Sequence, residues 1–209
     1  MKESLTMRTV RFLVVAPILL LLAACASNFQ ADVSRFHRLE KPTGQTIRIA
    51  PLDERKEGSL EFQTYASMIA PELDRLGYMV VGPNDPSQLI AKIDYEVDDG
   101  NTVVRSYPNH FPRFYGYYNP WYSPWYGYGP YDYGTDIRSY IVYPRQLDLQ
   151  IVRADVKPTD PSYMLYEGHA RSQGTSDRLP EVMPLLIKAL FTDFPGDSGA
   201  TETVSIPLK

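Results

Sequence analysis

The stretch Gln88-Leu-Ile-Ala-Lys-Ile-Asp-Tyr-Glu-Val-Asp98 decides the fold class. Leu89, Ala91, Ile93, Tyr95 and Val97 alternate with Lys92, Asp94, Glu96 and Asp98, the period-two pattern of a strand with one buried and one wet face. A sheet with a wet face belongs to a largely antiparallel architecture covered on one side only. Working outward, Thr46–Leu52 alternates Ile47 and Ile49 with Thr46 and Arg48, which predicts a second strand with Pro51 at its rim. Between the two, Phe62, Tyr65, Ile69, Leu73 and Leu76 recur every three or four residues, Ser59 is a fitting N-cap and Gly77 a fitting C-terminal stop. Pro71 falls inside this helix and is expected to kink or locally break it.

A short strand follows at Tyr78–Val81, stopped by Gly82-Pro83, and Asp99-Gly100 signals a turn that would fold Thr102–Arg105 back as a hairpin arm. Asp136–Val156 reads as a long strand region broken near Pro144, with Leu147, Leu149 and Ile151 on one face. Tyr163–Arg171 is its expected hairpin partner, pairing MLYEGHA with LDLQIVR. Residues 178–194 place Leu179, Val182, Leu186, Leu190 and Phe194 on one helical face, with Pro180 in the first turn and Pro195-Gly196 as the stop. The order predicts an α+β fold: two helices packed on one face of a mostly antiparallel sheet, made mixed if the strands flanking the first helix run parallel through a crossover.

Composition narrows the function classes. The chain has 209 residues with 44% hydrophobic, 22% charged and 12% aromatic, the range of one globular domain. Lys and Arg number 21 against 25 Asp and Glu, and the basic residues form no run, so no nucleic-acid footprint is expected. One cysteine permits neither an internal disulfide nor a multi-thiolate metal site, and His37, His110 and His169 stand far apart. No cofactor is called for.

The N-terminus gives an address. Lys2, Arg8 and Arg11 precede an apolar run, residues 12–24, that ends in Leu22-Ala23-Ala24-Cys25. Thirteen residues cover about 20 Å as a helix, short of a ~30 Å hydrocarbon core, so a cleaved signal peptide is the better reading than a permanent span. A more compact signal starts at Met7. LAAC resembles the bacterial lipobox, whose cysteine receives a diacylglyceryl group, so Cys25 is the expected lipidation site and membrane anchor. Ala26, in place of a retaining aspartate, favours the outer membrane facing the periplasm. Residues 1–24 are then the signal, 25–44 a lipidated N-terminus and tether merging into a first strand at the sheet edge, and 45–209 a single periplasmic domain.

Residues 107–134 hold nine tyrosines, two phenylalanines, both tryptophans, five prolines and four glycines. Five prolines exclude a central strand or helix, so this is an insertion loop. It either packs its rings over the sheet or presents a contact surface, with Tyr115, Tyr117, Tyr118, Trp121, Tyr122, Trp125, Tyr126 and Tyr128 meeting an envelope protein, peptidoglycan or another glycan. With Arg113 as its sole basic residue, stacking on single-stranded nucleic acid is the poorer reading.

Catalytic motifs are sparse. Asp94, Glu96 and Asp98 lie on the wet strand face, where carboxylates need no catalytic explanation. Ser172 and Ser176 lack a GxSxG elbow, and no HExxH, P-loop, GxGxxG or EF-hand loop occurs. The expectation is a non-enzymatic binding or structural module; the alternative is an envelope hydrolase or glycan-modifying enzyme using acidic residues and His169.

Taken together, the lipobox, ADVSRFHRL, a helix ending in LDRLGY, IAKIDYEV, an aromatic loop, LDLQIVRAD, YEGHA and a closing helix with FP resemble a bacterial lipoprotein family, the domain-of-unknown-function family numbered 4136. Members often carry a tryptophan before the glycine of the YEGHA-like strand, where this chain has Tyr166 and Glu167 before Gly168. The resemblance would cover nearly all of the mature chain. It implies an envelope location and brings no established activity.

Overall fold

The structure, a computed structural model, describes residues 28–108 and 135–208. Strands β1 (Asn28–His37) and β2 (Thr46–Pro51) lead through a one-turn 3-10 helix (Glu54–Lys56) into α1 (Leu60–Leu76). Then come β3 (Met79–Val80), β4 (Leu89–Val97), β5 (Asn101–Pro108), β6 (Thr135–Arg153), β7 (Met164–Gly174), α2 (Leu179–Phe191) and β8 (Ala200–Pro207). The sheet order is β3-β2-β4-β6-β7-β1-β8, with β5 paired to β6 alone. β2 runs parallel to β3 and β4 and the other pairings are antiparallel, so the eight-stranded sheet is mixed and the fold is α+β.

The alternation of β4 does what its residue types require. Ala91, Ile93 and Tyr95 are buried opposite Ile151, Leu149 and Leu147 of β6, and Ala170 of β7 with Val33 of β1 continues the apolar floor. Both helices contribute to the single core cluster on this floor. Phe62, Tyr65, Ile69 and Leu73 face inward from α1, which begins with the Ser59 side chain accepting from Phe62 N and ends at Gly77 with φ 102°. The helix runs from Leu60 to Leu76 through Pro71, so the expected local break is not found. In α2, Met183, Ile187, Ala189 and Phe191 are buried alongside Leu179, Val182, Leu186 and Leu190, so far more than one stripe of that helix lies in the core.

Four expectations need correction. Residues 28–37 are not a tether or an edge: β1 lies between β7 and β8, inside the sheet. Its inward positions are Phe29, Ala31, Val33 and the buried Arg35, while Gln30, Asp32 and Ser34 occupy the open face, which gave the segment its polar look. Arg35 replaces an apolar side chain because it satisfies the end of α2, donating from Nη2 to Thr192 O at 2.7 Å and from Nη1 to Glu202 Oε2 at 3.3 Å.

Second, Asp99-Gly100 does not reverse the chain. β4 and β5 run the same way along one edge of β6, joined by a jog in which Asp98 N donates to Pro144 O at 3.0 Å. Glycine is required there by close approach, since a Cβ at position 100 would overlap the Ile141 side chain and come within 2.7 Å of Tyr143 Cε1. Third, β6 continues unbroken through Pro144. The Pro144 carbonyl points to the β4–β5 jog, and in an antiparallel ladder its missing N–H points the same way, where no ladder bond is demanded. Fourth, the second helix stops at Phe191, with Thr192 as C-cap, ahead of Pro195-Gly196.

The YEGHA strand also becomes legible. Tyr166 and Ala170 are buried, Glu167 and His169 face outward, and Gly168 leaves room for the Tyr166 ring. That ring is held by Phe194 (centroids 4.6 Å) and His37 (6.2 Å). A Cβ on Gly168 would overlap the Tyr166 hydroxyl and sit 2.7 Å from its Cε1. Gly168→Ala is therefore expected to cost about 1–3 kcal/mol through overpacking, read as a lowered urea midpoint at unchanged slope; an unchanged midpoint would show that the ring can yield.

Candidate functional site

Among the described residues no helix covers the second face of the sheet, and alternation sends polar side chains there from four adjacent strands. Register lines up Asp94 on β4, Asp148 on β6, His169 on β7 and Ser34 on β1 as one cross-strand row. Two carboxylates directly opposite each other repel, and the row compensates at both ends. Lys56, carried by the 3-10 turn, donates to Asp94 Oδ1 at 2.5 Å and to Tyr95 O at 2.6 Å, with its ammonium 4.1 Å from the Tyr95 ring centroid. On the other side His169 Nδ1 lies 2.8 Å from Asp148 Oδ1, and its Nε2 lies 3.6 Å from Glu167 Oε1.

His169 thus stands between two carboxylates, with Nδ1 within hydrogen-bond distance of Asp148. Asp148 engages the Nδ1 side of the ring, while Glu167 lies beside Nε2 beyond hydrogen-bond distance, so the row is a polar network across the open face. Of the carboxylates singled out in the sequence, Asp94 belongs to this network, while Glu96 and Asp98 are exposed. They line a separate, open concavity of about 520 Å³ with Gln30, Asp32, Gln146 and Arg171. His169 is not part of its lining. Among the described residues no group of three or more His, Cys, Asp or Glu is placed to hold a metal ion, and no helix is long and apolar enough to cross a membrane.

Sequence reasoning missed the buried polar residues. Arg35 is one, although its place in the Ala31-Val33-Arg35 alternation pointed inward. Arg145 is another: it is buried opposite Ser172, its Nη1 reaches Ser176 O at 3.4 Å, and burial lowers its pKa. Tyr166 is a third, its phenol pushed up to about 12 by burial, an effect the nearby Arg35 charge partly offsets.

Cys25 and the aromatic positions Tyr115, Tyr117, Tyr118, Trp121, Tyr122, Trp125, Tyr126 and Tyr128 lie outside the described residues. What is described is the pair of strands between which the aromatic segment runs. β5 and β6 form a two-stranded ribbon whose last pair is Pro108 with Thr135.

The order of these strands, from β1 at Asn28 through α2, coincides with a match to the model of a domain of unknown function, DUF4136, over residues 28–196. The chain belongs to the DUF4136 family. The family span opens on the first residue of β1 and closes at Gly196, so it contains both helices, the His169 row and the β5–β6 ribbon, and leaves out β8. An uncharacterised protein of Zymomonas mobilis is 29% identical over 212 residues, covering 83% of this chain and 79% of its own. Among solved structures, a PDZ domain protein from Parabacteroides distasonis is similar at 13% identity and a TM-score of 0.46. The match covers 86% of this chain, which spans 39% of that one. The PelC dodecamer from Paraburkholderia phytofirmans is similar at 10% identity and a TM-score of 0.38, covering 75% and 91% of the two chains.

Proposed function

We propose that this DUF4136 protein is a lipid-anchored component of the bacterial cell envelope, held on the outer membrane and facing the periplasm. Its α+β domain serves there as a binding or structural module rather than as an enzyme. The observation that carries the reading is the junction of sequence and fold: LAAC ends at Cys25, and the first strand begins three residues later at Asn28. A lipobox needs an accessible cysteine at the start of a mature domain, and the position of β1 agrees with that. Two or three acyl chains, at ~0.8 kcal/mol per buried methylene, hold a protein on a bilayer essentially permanently. The aromatic segment 107–134, whose first two residues are the end of β5, is the proposed contact for an envelope protein or a glycan.

Metabolic labelling with a palmitate analogue tests the anchor. Wild type should take up label, and Cys25→Ala should persist as a larger, unlabelled precursor. Equal labelling of the two chains would refute lipidation at Cys25.

A second reading, a hydrolase or glycan-modifying enzyme, draws on the His169 Nδ1 to Asp148 contact at 2.8 Å. It requires His169→Ala to abolish turnover of peptidoglycan or glycan fragments by the purified protein. The polar-network reading requires no turnover from either form, with a modest fall in stability for the variant.

A further inference from the structure

One end of the sheet collects the start of β1, the ends of β4, β7 and β8, and the point where β6 runs on past its neighbours. β6 leaves β7 at the pair Tyr143–Gly174, yet eight of its residues continue beyond, paired only with β5. At about 3.4 Å per residue this ribbon reaches roughly 27 Å past the end of the sheet. β1 is two strands from β6, so Asn28 lies about 10 Å to the side of the ribbon's base at ~4.8 Å per strand. Cys25 is three residues before Asn28 and, even fully extended, within about 11 Å of it.

If Cys25 carries acyl chains, the bilayer surface is within about 11 Å of the sheet end from which a 27 Å ribbon departs. A domain that turns this end of its sheet to the bilayer therefore puts the ribbon into the headgroup layer or along it.

Its two faces suit that layer. Val104, Ile137 and Ile141 share the face that continues the helix side of the sheet, and they are 63%, 67% and 47% exposed. Val104 lies diagonally between Ile137 and Ile141, with Thr102, Ser106 and Ser139 filling the same face, and an exposed aliphatic cluster of this kind marks a contact site for a protein or a membrane. The opposite face carries Arg105 and Arg138, with the Arg105 guanidinium 5.6 Å from the Tyr140 ring and the Arg138 guanidinium 5.8 Å from the Tyr107 ring. Arginine and tyrosine are the side chains of the interface, where guanidinium meets lipid phosphate and the ring spans apolar and wet levels. A lone ribbon does not cross the bilayer. A two-stranded ribbon has two open edges, and unpaired N–H and C=O groups are not tolerated in hydrocarbon. Headgroups and their water satisfy them.

We infer that the β5–β6 ribbon is a membrane-contact device, lying in the headgroup layer of the same membrane that holds Cys25, with Val104, Ile137 and Ile141 toward the acyl chains. This rests on the anchor reading above. It gives the domain a fixed posture: the sheet stands on the membrane at two points, the lipid and the ribbon, and its opposite end, with the β6–β7 turn, points away.

The full-length protein, reconstituted in phosphatidylethanolamine–phosphatidylglycerol vesicles, can be probed with an environment-sensitive fluorophore on Val104→Cys, Ile137→Cys or Asp160→Cys. All three sites are exposed, so folding is not at issue, and an acylated Cys25 does not react. Labels at 104 and 137 should be blue-shifted, quenched several-fold more by lipid-borne nitroxide than the label at 160, and shielded from iodide. Replacing phosphatidylglycerol by neutral lipid should weaken that quenching. Equal accessibility at all three positions in acylated, vesicle-bound protein overturns the inference. So does shielding at 104 and 137 that persists without vesicles, which would point to a second copy or another protein on the ribbon. Mass analysis of the wild type separates the two readings. A free Cys25 thiol removes the anchor alone, and quenching on added vesicles then reads the ribbon independently: present, it upholds the contact; absent, it overturns it.

Discussion

Leu186→Ala should lower the stability of the domain by about 2–5 kcal/mol, the range for emptying a fully buried leucine site. Leu186 has no exposed surface and lies within the single core cluster that α1, α2 and the covered sheet face share. Its neighbours along the helix, Met183, Ile187 and Leu190, are themselves buried, so little can move in to fill the space. For a domain of this size about 3 kcal/mol corresponds to a fall in Tm of roughly 6–12 °C. Leu60 offers the matching control. It begins α1 but is 80% exposed, and Leu60→Ala should stay within about 0.5 kcal/mol. Equal shifts for the two variants would mean that α2 does not close the core.

The core of the fold was legible wherever one periodicity dominated. β4 alternates cleanly and both helices carry apolar spacing with recognisable ends, so their existence, order and inward faces follow from the residues. β1 was hard to read because two of its inward positions are Ala31, which is small, and Arg35, which is charged, while Phe36 on the other face is 55% exposed. Hydropathy cannot see that a guanidinium is welcome at the C-terminus of α2, a partner more than 150 residues away. The β5 error has a different origin. Asp-Gly is a turn signal when the chain must reverse, but here the glycine answers a steric demand from Ile141 and Tyr143 that exists only after β6 has paired. Pro144 sits inside β6 by the same logic: a proline is forbidden by the ladder only on the side where a donor is required.

The open-face row shows the same division. His169 could be named from the sequence, and the pairing of MLYEGHA with LDLQIVR was visible. The exact register, which sets Asp148 against His169 and Asp94 against Asp148, is a tertiary fact. Lys56 reaches Asp94 from a 3-10 turn 38 residues away, for which no periodic signal exists.

The buried phenols give the second large effect, and its sign follows from which protonation state the core accepts. Burial raises the pKa of Tyr166 to about 12 and raises those of Tyr78, Tyr65 and Tyr95; at Tyr65 the Glu61 carboxylate, which accepts from its hydroxyl at 2.9 Å, adds to the shift. In the unfolded chain these groups ionise near 10. Below that pH both states hold the proton and stability does not depend on it. Above it the unfolded chain gives up protons that the native core retains, so stability falls as pH rises through the interval from about 10 to 12. For Tyr166 alone, two pH units correspond to about 3 kcal/mol once both pKa values are passed. Tyr166→Phe isolates this part. The Tyr166 hydroxyl is buried without a hydrogen-bond partner among the described residues, so its removal should cost little at pH 8 or even stabilise slightly. At pH 11 the variant should gain about 1.4 kcal/mol on the wild type, because it has no proton to lose there. Urea unfolding of the two proteins at pH 8 and pH 11 reads this directly. A stability difference that stays the same at both pH values would show that Tyr166 ionises in the folded protein as readily as in the unfolded chain.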